Sequence, residues 1–195
     1  MKVFFLLFLL LSTLSGKLLA APLKVGDPVP DTTLYNEVGG AIKLTDLFQS
    51  KPAVLIFYRG GWCPYCTRHL SSLVEIEKDI LDSGFQILAI SADQPSKIAE
   101  TPNRDALGYT LLSDSRMETA TAFGITFEVP AELVSKYKNE YQIDLEAASG
   151  ETHHLLPHPA VYVVGTDGII RFAHVDEDYR VRLEPEKILE AVKTN

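Results

Sequence analysis

The stretch Ala53-Val54-Leu55-Ile56-Phe57-Tyr58-Arg59-Gly60-Gly61-Trp62-Cys63-Pro64-Tyr65-Cys66 determines the predicted fold. Its first six residues are nearly all apolar, as expected for a central strand that is covered on both faces. After the cysteines, apolar residues recur at helical spacing from 70 to 81, and Gly84 ends the pattern. Residues 85–90 form the next apolar run. Strand, helix and strand in this order predict a right-handed parallel crossover.

Cys63 and Cys66 are the only cysteines in this 195-residue chain, and they lie where the predicted strand meets the predicted helix. A C-x-x-C pair at such a junction is typical of a redox site, because the free N–H groups and the dipole of a helix start favour a thiolate. Two simpler interpretations stay open. One is a structural disulfide, although a four-residue ring restricts the unfolded chain very little. The other is a metal site, although no second C-x-x-C supplies further ligands.

Residues 1–20 are predicted to form a secretory signal peptide. Lys2 provides the positive start, residues 3–14 are largely apolar, and Ala20 or Ala21 provides a cleavage site. The apolar run is shorter than a membrane-spanning helix requires, although an uncleaved anchor stays open as an alternative. We therefore expect a periplasmic or secreted protein in which residues 21–195 form a single domain.

The charge of the chain excludes one large class of function. With 26 acidic and 18 basic residues the formal net charge is −8, and no basic run is present. Such a chain lacks the electrostatic footprint of a nucleic-acid-binding protein. We expect no nucleic-acid partner, no stable membrane insertion after signal cleavage, no cofactor and no bound metal.

The remaining segments predict the rest of the architecture. The predicted elements are a hairpin (32–35 and 41–44), a short helix (95–100), a strand (110–112), helices (117–123 and 132–141), a hairpin with an Asp-Gly turn (160–164 and 169–175) and a closing helix (185–192). This order predicts an α/β fold in which helices flank a central mixed sheet and an N-terminal β-hairpin extends it.

At this point the sequence resembles a known family. The segment 57–66 with its CPYC motif is similar to the active-site segment of peroxiredoxin-like proteins of the AhpC/TSA (redoxin) group. Three further segments also resemble theirs: 25–31 (VGDPVPD), 156–161 (LPHPAV) and 178–185 (DYRVRLEP). The similarity extends from about residue 23 to 191, and it implies a thioredoxin-like fold.

The resemblance names two different attacking cysteines. Typical peroxiredoxins have Phe-Tyr-Pro, then Thr, then two residues, then the peroxide-reactive Cys. Aligned on this chain, that pattern places the reactive sulfur on Cys66, with Cys63 in place of the Thr and Arg59 in place of the Pro. The thioredoxin pattern Trp-Cys-x-x-Cys instead makes Cys63 the nucleophile and Cys66 the resolving thiol. The sequence leaves this choice open.

A second departure from the peroxiredoxin pattern concerns a late arginine. Where peroxiredoxins place an Arg before a late strand, this chain has Pro159, in the position of the cis-proline of thioredoxins. Arg59 is then a candidate for the missing cation, and a solvent-exposed Arg59 is the alternative. Trp62, Pro64 and Tyr65 are expected to shape the site, although both aromatic residues also fit plain packing roles.

The resemblance implies a thiol-dependent peroxidase that reduces hydrogen peroxide or organic hydroperoxides and is regenerated by an external thiol, either a thioredoxin-like protein or a small thiol. A thiol–disulfide oxidoreductase acting on protein disulfides is the alternative, since a cis Pro159 would suit it. A third hypothesis is copper handling, with a ligand from His153, His154 or His158 joining the cysteines.

Overall fold

The computed structural model describes residues 20–102 and 107–195. The predicted signal peptide therefore lies, except for Ala20, outside the described residues. Among the residues that are described, no helix is long and apolar enough to cross a membrane.

The described residues form one large mixed sheet and one small sheet. The large sheet has seven strands in the order β2-β1-β5-β4-β3-β8-β9, with β3, β4 and β5 parallel and the other pairings antiparallel. Its strands are β1 (Thr33–Tyr35), β2 (Ala41–Lys43), β3 (Ala53–Tyr58), β4 (Gln86–Ser91), β5 (Thr110–Ser113), β8 (Ala160–Val164) and β9 (Ile170–Val175). Strands β6 (Thr126–Glu128) and β7 (Leu155–Pro157) form a separate antiparallel pair.

Helices cover both faces of the sheet, as predicted. They are α1 (Pro64–Asp82), α2 (Pro95–Ile98), α3 (Glu118–Ala122), α4 (Ala131–Glu140), α5 (Leu145–Ser149) and α6 (Pro185–Lys193), with a 3₁₀ turn at Thr45–Phe48. Every residue of β3 is buried, and alternate side chains enter different cores: Leu55 and Phe57 join one cluster, whereas Val54 and Ile56 join the other. The expected central strand and the mixed α/β fold are therefore confirmed.

The structure adds elements between 124 and 157 that the sequence patterns did not predict. Strands β6 and β7 have only three residues each, too few for an alternation to be recognised. Helix α5 also has only five residues, yet it carries a cap: the Asp144 carboxylate accepts hydrogen bonds from the N–H groups of Glu146 and Ala147, both at 3.1 Å.

The parallel pairing of β3 and β4 positions the site. Tyr58 lies opposite Ser91 in the register, so the two strands end at the same edge of the sheet. The turn at 60–62 and the start of α1 leave from this edge, and so does the segment that follows β4. Chemistry-bearing residues from both strand ends therefore meet there.

Candidate active site

Cys63 and Cys66 lie at the N-terminal end of α1. Cys63 is the N-cap residue, with extended backbone angles (φ −91°, ψ 112°), and Pro64 is the first helical residue. Both cysteines are free and almost fully enclosed, with exposures of 2% for Cys63 and 0% for Cys66. The carbonyl of Cys63 accepts hydrogen bonds from the N–H groups of Cys66 and Thr67, both at 3.0 Å. The predicted position of the pair at the helix start is thus confirmed.

The pKa values of the two thiols are shifted in opposite directions. The pKa of Cys63 is lowered to about 6, first because the Cys66 thiol donates a hydrogen bond to its sulfur, with further help from the Cys66 backbone N–H, Arg59 and Arg182. Burial opposes this effect. Burial raises the pKa of Cys66 well above its ordinary value, and the bond to Cys63 raises it further. These opposite directions favour a thiolate on Cys63 that accepts a hydrogen bond from a neutral Cys66 thiol.

A cavity of about 530 Å³ opens at Cys63 and not at Cys66. Its walls are mostly aromatic, and they comprise Arg59, Trp62, Cys63, Pro64, Tyr65, Tyr137, Tyr141, Ile143 and Tyr179. Of the two cysteines, only Cys63 contributes to the wall that a small molecule entering this cavity meets. Four of the five residues that we expected to shape the site, all except Pro159, lie in its wall.

Arg59 is buried, so the alternative of a solvent-exposed side chain is wrong. It is 3% exposed, and its Nη2 donates a hydrogen bond to the Tyr137 hydroxyl at 2.6 Å. Its guanidinium also faces three aromatic rings, those of Trp62 (5.0 Å to the centroid), Tyr137 (5.4 Å) and Tyr179 (4.4 Å). Its positive charge lowers the pKa of Cys63, as the sequence analysis proposed for a site cation.

A second cation, Arg182, contacts the dithiol directly, and the sequence analysis assigned it no role. Its Nη2 donates a hydrogen bond to the Cys66 Sγ at 3.3 Å. Its Nη1 donates to the carbonyls of Tyr179 and Val181, which holds the side chain against its own loop. The only sequence signal for Arg182 was its presence in a segment that resembles the family.

Tyr179 and Tyr65 close the outer side of the cavity. Their rings meet edge to face, with centroids 5.7 Å apart. Tyr65 is 37% exposed and Tyr179 is 38% exposed, so both rings stand at the cavity mouth. The loop that follows β9 therefore brings one residue, Tyr179, to the Cys63 side of the dithiol and another, Arg182, to the Cys66 side.

The expectation of a cis-proline is wrong. No peptide bond in the described residues is cis, so the bond before Pro159 is trans. The Pro159 carbonyl already accepts a hydrogen bond from the Asp176 N–H at 3.0 Å, because β8 and β9 continue their pairing there. Pro159 lies in the wall of a very small cavity beside His69 and His174, rather than at the Cys63 cavity.

The three histidines considered as copper ligands have other partners. His153 Nε2 donates to the Ser115 carbonyl at 2.8 Å, and His154 Nε2 lies 2.9 Å from a Glu146 carboxylate oxygen. The His158 ring stacks on Phe127 with centroids 4.6 Å apart. Within residues 20–102 and 107–195, no group of three Cys, His, Asp or Glu side chains is placed to hold a metal ion. The copper hypothesis therefore has no ligand set in this part of the chain.

Comparison with known proteins agrees with this geometry. The sequence model of the AhpC/TSA family matches residues 25–173. The chain belongs to this family. Peroxiredoxin Bcp of Escherichia coli strain K12 is 27% identical over 172 residues, which cover 88% of this chain and 97% of that protein. A putative peroxiredoxin bcp of Haemophilus influenzae is 34% identical over 104 residues, 53% of this chain and 66% of that protein.

Solved structures of other proteins share the fold. Peroxidoxin BcpB from Mycobacterium tuberculosis superposes with a TM-score of 0.67 at 22% identity and covers 88% of this chain and 97% of its own. Reduced Prx3 from Vibrio vulnificus in complex with hydrogen peroxide gives 0.70 at 17% identity, covering 87% and 99%. The predicted thioredoxin-like fold and the enzyme class, a thiol-dependent oxidoreductase related to peroxiredoxins, are both confirmed.

Proposed function

We propose that this protein is a thiol-dependent peroxidase in which Cys63 attacks the peroxide and Cys66 resolves the product. The observation that supports this assignment is the asymmetry of the dithiol. Cys63 faces the 530 Å³ cavity with a pKa of about 6, whereas Cys66 lies outside the cavity wall with a raised pKa. The thiolate is the reactive form of cysteine, so the cysteine that lines the cavity is also the one with the lowered pKa.

The first step transfers one oxygen atom. The Cys63 thiolate attacks the terminal oxygen of a hydroperoxide, ROOH, and the O–O bond breaks. Cys63 becomes a sulfenic acid, and the leaving RO⁻ takes up a proton to become ROH, or water when the substrate is hydrogen peroxide. Arg59 lies in the same cavity wall, where its positive charge stabilises the negative charge that develops on the leaving oxygen.

The second step closes the disulfide. The Cys66 sulfur attacks the sulfenic sulfur of Cys63 and displaces hydroxide, which leaves as water after taking up the Cys66 proton. Cys66 lies one helical turn from Cys63, and its thiol donates a hydrogen bond to the Cys63 sulfur. The two sulfurs therefore need little movement to form the disulfide. Arg182 contacts the Cys66 sulfur and stabilises the negative charge that this sulfur acquires as it loses its proton.

The size of the cavity supports organic hydroperoxides as substrates beside hydrogen peroxide. A volume of 530 Å³ lies within the range of about 300–1,000 Å³ that is common for small-molecule sites, and it is far larger than hydrogen peroxide needs. The same opening gives an external thiol, either a small molecule or a thioredoxin-like protein, access to the disulfide for the reductive step.

Single-cysteine variants test the assignment. We expect Cys66→Ser to form a stable Cys63 sulfenic acid with one equivalent of peroxide, detectable with dimedone, and Cys63→Ser to form almost none. If the two variants behave the other way round, Cys66 is the attacking sulfur. If the wild-type protein consumes no peroxide faster than a free thiol but reduces insulin disulfides, the protein is a thiol–disulfide oxidoreductase instead.

We also propose that the protein is exported. This proposal depends on the composition of residues 1–20 alone. Expression of the full chain followed by mass spectrometry of the secreted or periplasmic fraction tests it. A product that starts at Ala21 or Pro22 supports export, and an intact N-terminus in the cytoplasm contradicts it.

A further inference from the structure

The buried carboxylate of Asp93 accepts hydrogen bonds from the turn that precedes the two cysteines. Asp93 follows the end of β4, and it is 2% exposed. One carboxylate oxygen accepts a hydrogen bond from the Gly61 N–H at 2.7 Å, and the other accepts one from the Trp62 indole Nε1–H at 3.1 Å. Both donors lie within two residues of Cys63. The carboxylate therefore connects the end of β4 to the residues that precede α1.

The turn is packed closely against this carboxylate, and no space is left for a side chain on Gly60. A Cβ atom placed on Gly60 would lie 2.3 Å from the Trp62 Nε1 and 2.6 Å from an Asp93 oxygen. Gly60 also has a positive φ of 155°. Because glycine alone fits here, the indole and the carboxylate can approach each other directly.

The indole of Trp62 is a wall shared by two cavities. One is the 530 Å³ cavity of Cys63, and the other is a cavity of about 420 Å³ that Asp93 also lines. If the Trp62 ring moved, the two cavities would change shape together. The hydrogen bond that the Trp62 Nε1–H donates to Asp93 holds this ring in place.

We propose that Asp93 is a positioning residue for the dithiol, which holds Gly61 and Trp62 so that Cys63 is presented to the peroxide in a reactive orientation. Asp93 itself touches neither sulfur nor substrate. The proposal rests on the proposed peroxidase function for its kinetic readout, whereas its spectroscopic readout does not depend on that function.

The pKa of Asp93 depends on its burial and on the groups that surround it. Burial raises the pKa of Asp93 to about 7, the bonds from Gly61 and Trp62 lower it, and a negative charge on Cys66 raises it. The charged or titratable groups around it are Tyr58 on β3, Cys66 on α1 and Lys97 on α2, with Glu100 and Asp144 in the wall of the adjoining cavity.

The chain contains a built-in reporter, because Trp62 is its only tryptophan and donates directly to Asp93. We expect the fluorescence of the disulfide form, in which no thiol titrates, to show an inflection that is absent in Asp93→Asn. An inflection that persists unchanged in Asp93→Asn would overturn the assignment.

The kinetic test compares Asp93→Ala and Asp93→Asn with Asp114→Asn. Asp114 is a matched control: it is 3% exposed, burial raises its pKa to about 7, and it accepts bonds from the N–H groups of Thr119 and Ala120 at the start of α3. We expect Asp93→Ala to lower the second-order rate constant with peroxide by roughly 10- to 100-fold. Asp93→Asn should lose less, because its amide oxygen still accepts one bond, and Asp114→Asn should react like wild type.

Two further measurements distinguish a loss of folding from a loss of reactivity. All rates are taken on protein shown to be folded by circular dichroism, and the alkylation of Cys63 by iodoacetamide is followed in a Cys66→Ser background. If Asp93→Ala reacts with peroxide as fast as Asp114→Asn, the positioning role is wrong. If even wild type fails to react with peroxide, the proposed function fails, while the fluorescence and alkylation data still decide the role of Asp93.

Discussion

Replacing Cys66 by alanine shows how much of the low pKa of Cys63 comes from its partner. The hydrogen bond from the Cys66 thiol is the largest of the effects that lower this pKa to about 6. A hydrogen bond to a charged group contributes about 1.5–3 kcal/mol, and each 1.36 kcal/mol corresponds to one pKa unit. Cys66→Ala should therefore raise the pKa of Cys63 from about 6 to between roughly 7 and 8. At pH 7 the ionised fraction then falls from about nine-tenths to between roughly one-tenth and one-half.

Absorbance at 240 nm, which follows thiolate formation, measures this change in a pH titration. The alkylation rate at pH 7 should fall by about 2- to 10-fold in proportion to the thiolate fraction, and it should recover above pH 9. Cys66→Ser is the matched control, because its hydroxyl can still donate a hydrogen bond to the Cys63 sulfur. Its titration should lie between those of wild type and Cys66→Ala.

One result would refute the reasoning directly. If Cys63→Ser retains an inflection near pH 6, the thiolate resides on Cys66. The helix start, Arg182 and the Arg59 N–H would then outweigh the burial of that sulfur, and the asymmetry that supports attack by Cys63 would be lost.

Three other variants test separate parts of the site. Arg182→Met removes the donor to Cys66, so disulfide closure should slow and dimedone should trap more sulfenic acid, whereas Arg182→Lys should restore part of the rate. Tyr137→Phe leaves the buried Arg59 Nη2 without its acceptor, which should cost about 1–3 kcal/mol of stability, seen as a lower urea midpoint. His69 has its pKa lowered to about 4 by burial, so it stabilises the fold above its unfolded pKa, and this contribution of about 3 kcal/mol is lost as the pH falls from 6.5 towards 4. The buried carboxyls of Asp93 and Asp114, whose pKa values are raised to about 7, change the stability in the opposite direction over a similar pH range. The quantity to measure is therefore the difference in urea midpoint between wild type and His69→Gln. If the urea midpoints of the two proteins change equally with pH, the prediction is wrong.

Local patterns were sufficient to predict the fold around the dithiol. The apolar run of β3, the helical spacing of α1 and the turn residues of the hairpins act over a few neighbouring positions, and each determines its own element. Strands β6 and β7 escaped prediction because their pairing, not their pattern, stabilises them. Strand β6 meets β7, which lies about thirty residues later in the chain, and three residues give no periodicity to read.

Local patterns did not predict the residues that surround the cysteines. Arg182 is 116 residues from Cys66 in sequence, and Tyr137 is 78 residues from Arg59. Such contacts depend on where loops pack after the sheet has formed, and no local pattern specifies that. Asp93 was also missed, although an aspartate just beyond a strand that pairs in parallel with β3 lies at the same sheet edge as the cysteines.

Each of the two sequence templates matches part of the surroundings of one sulfur. Cys66 has a cation on its sulfur, as a peroxiredoxin attacking cysteine does, yet it is enclosed and holds its proton. Cys63 has the cavity and the lowered pKa, as the first cysteine of a thioredoxin motif does. In the proposed cycle Arg182 therefore acts during disulfide closure, the second step of the reaction. Burial keeps Cys66 protonated while Cys63 attacks, and Arg182 stabilises the Cys66 charge when that proton leaves, so peroxide attack and disulfide closure depend on different cations.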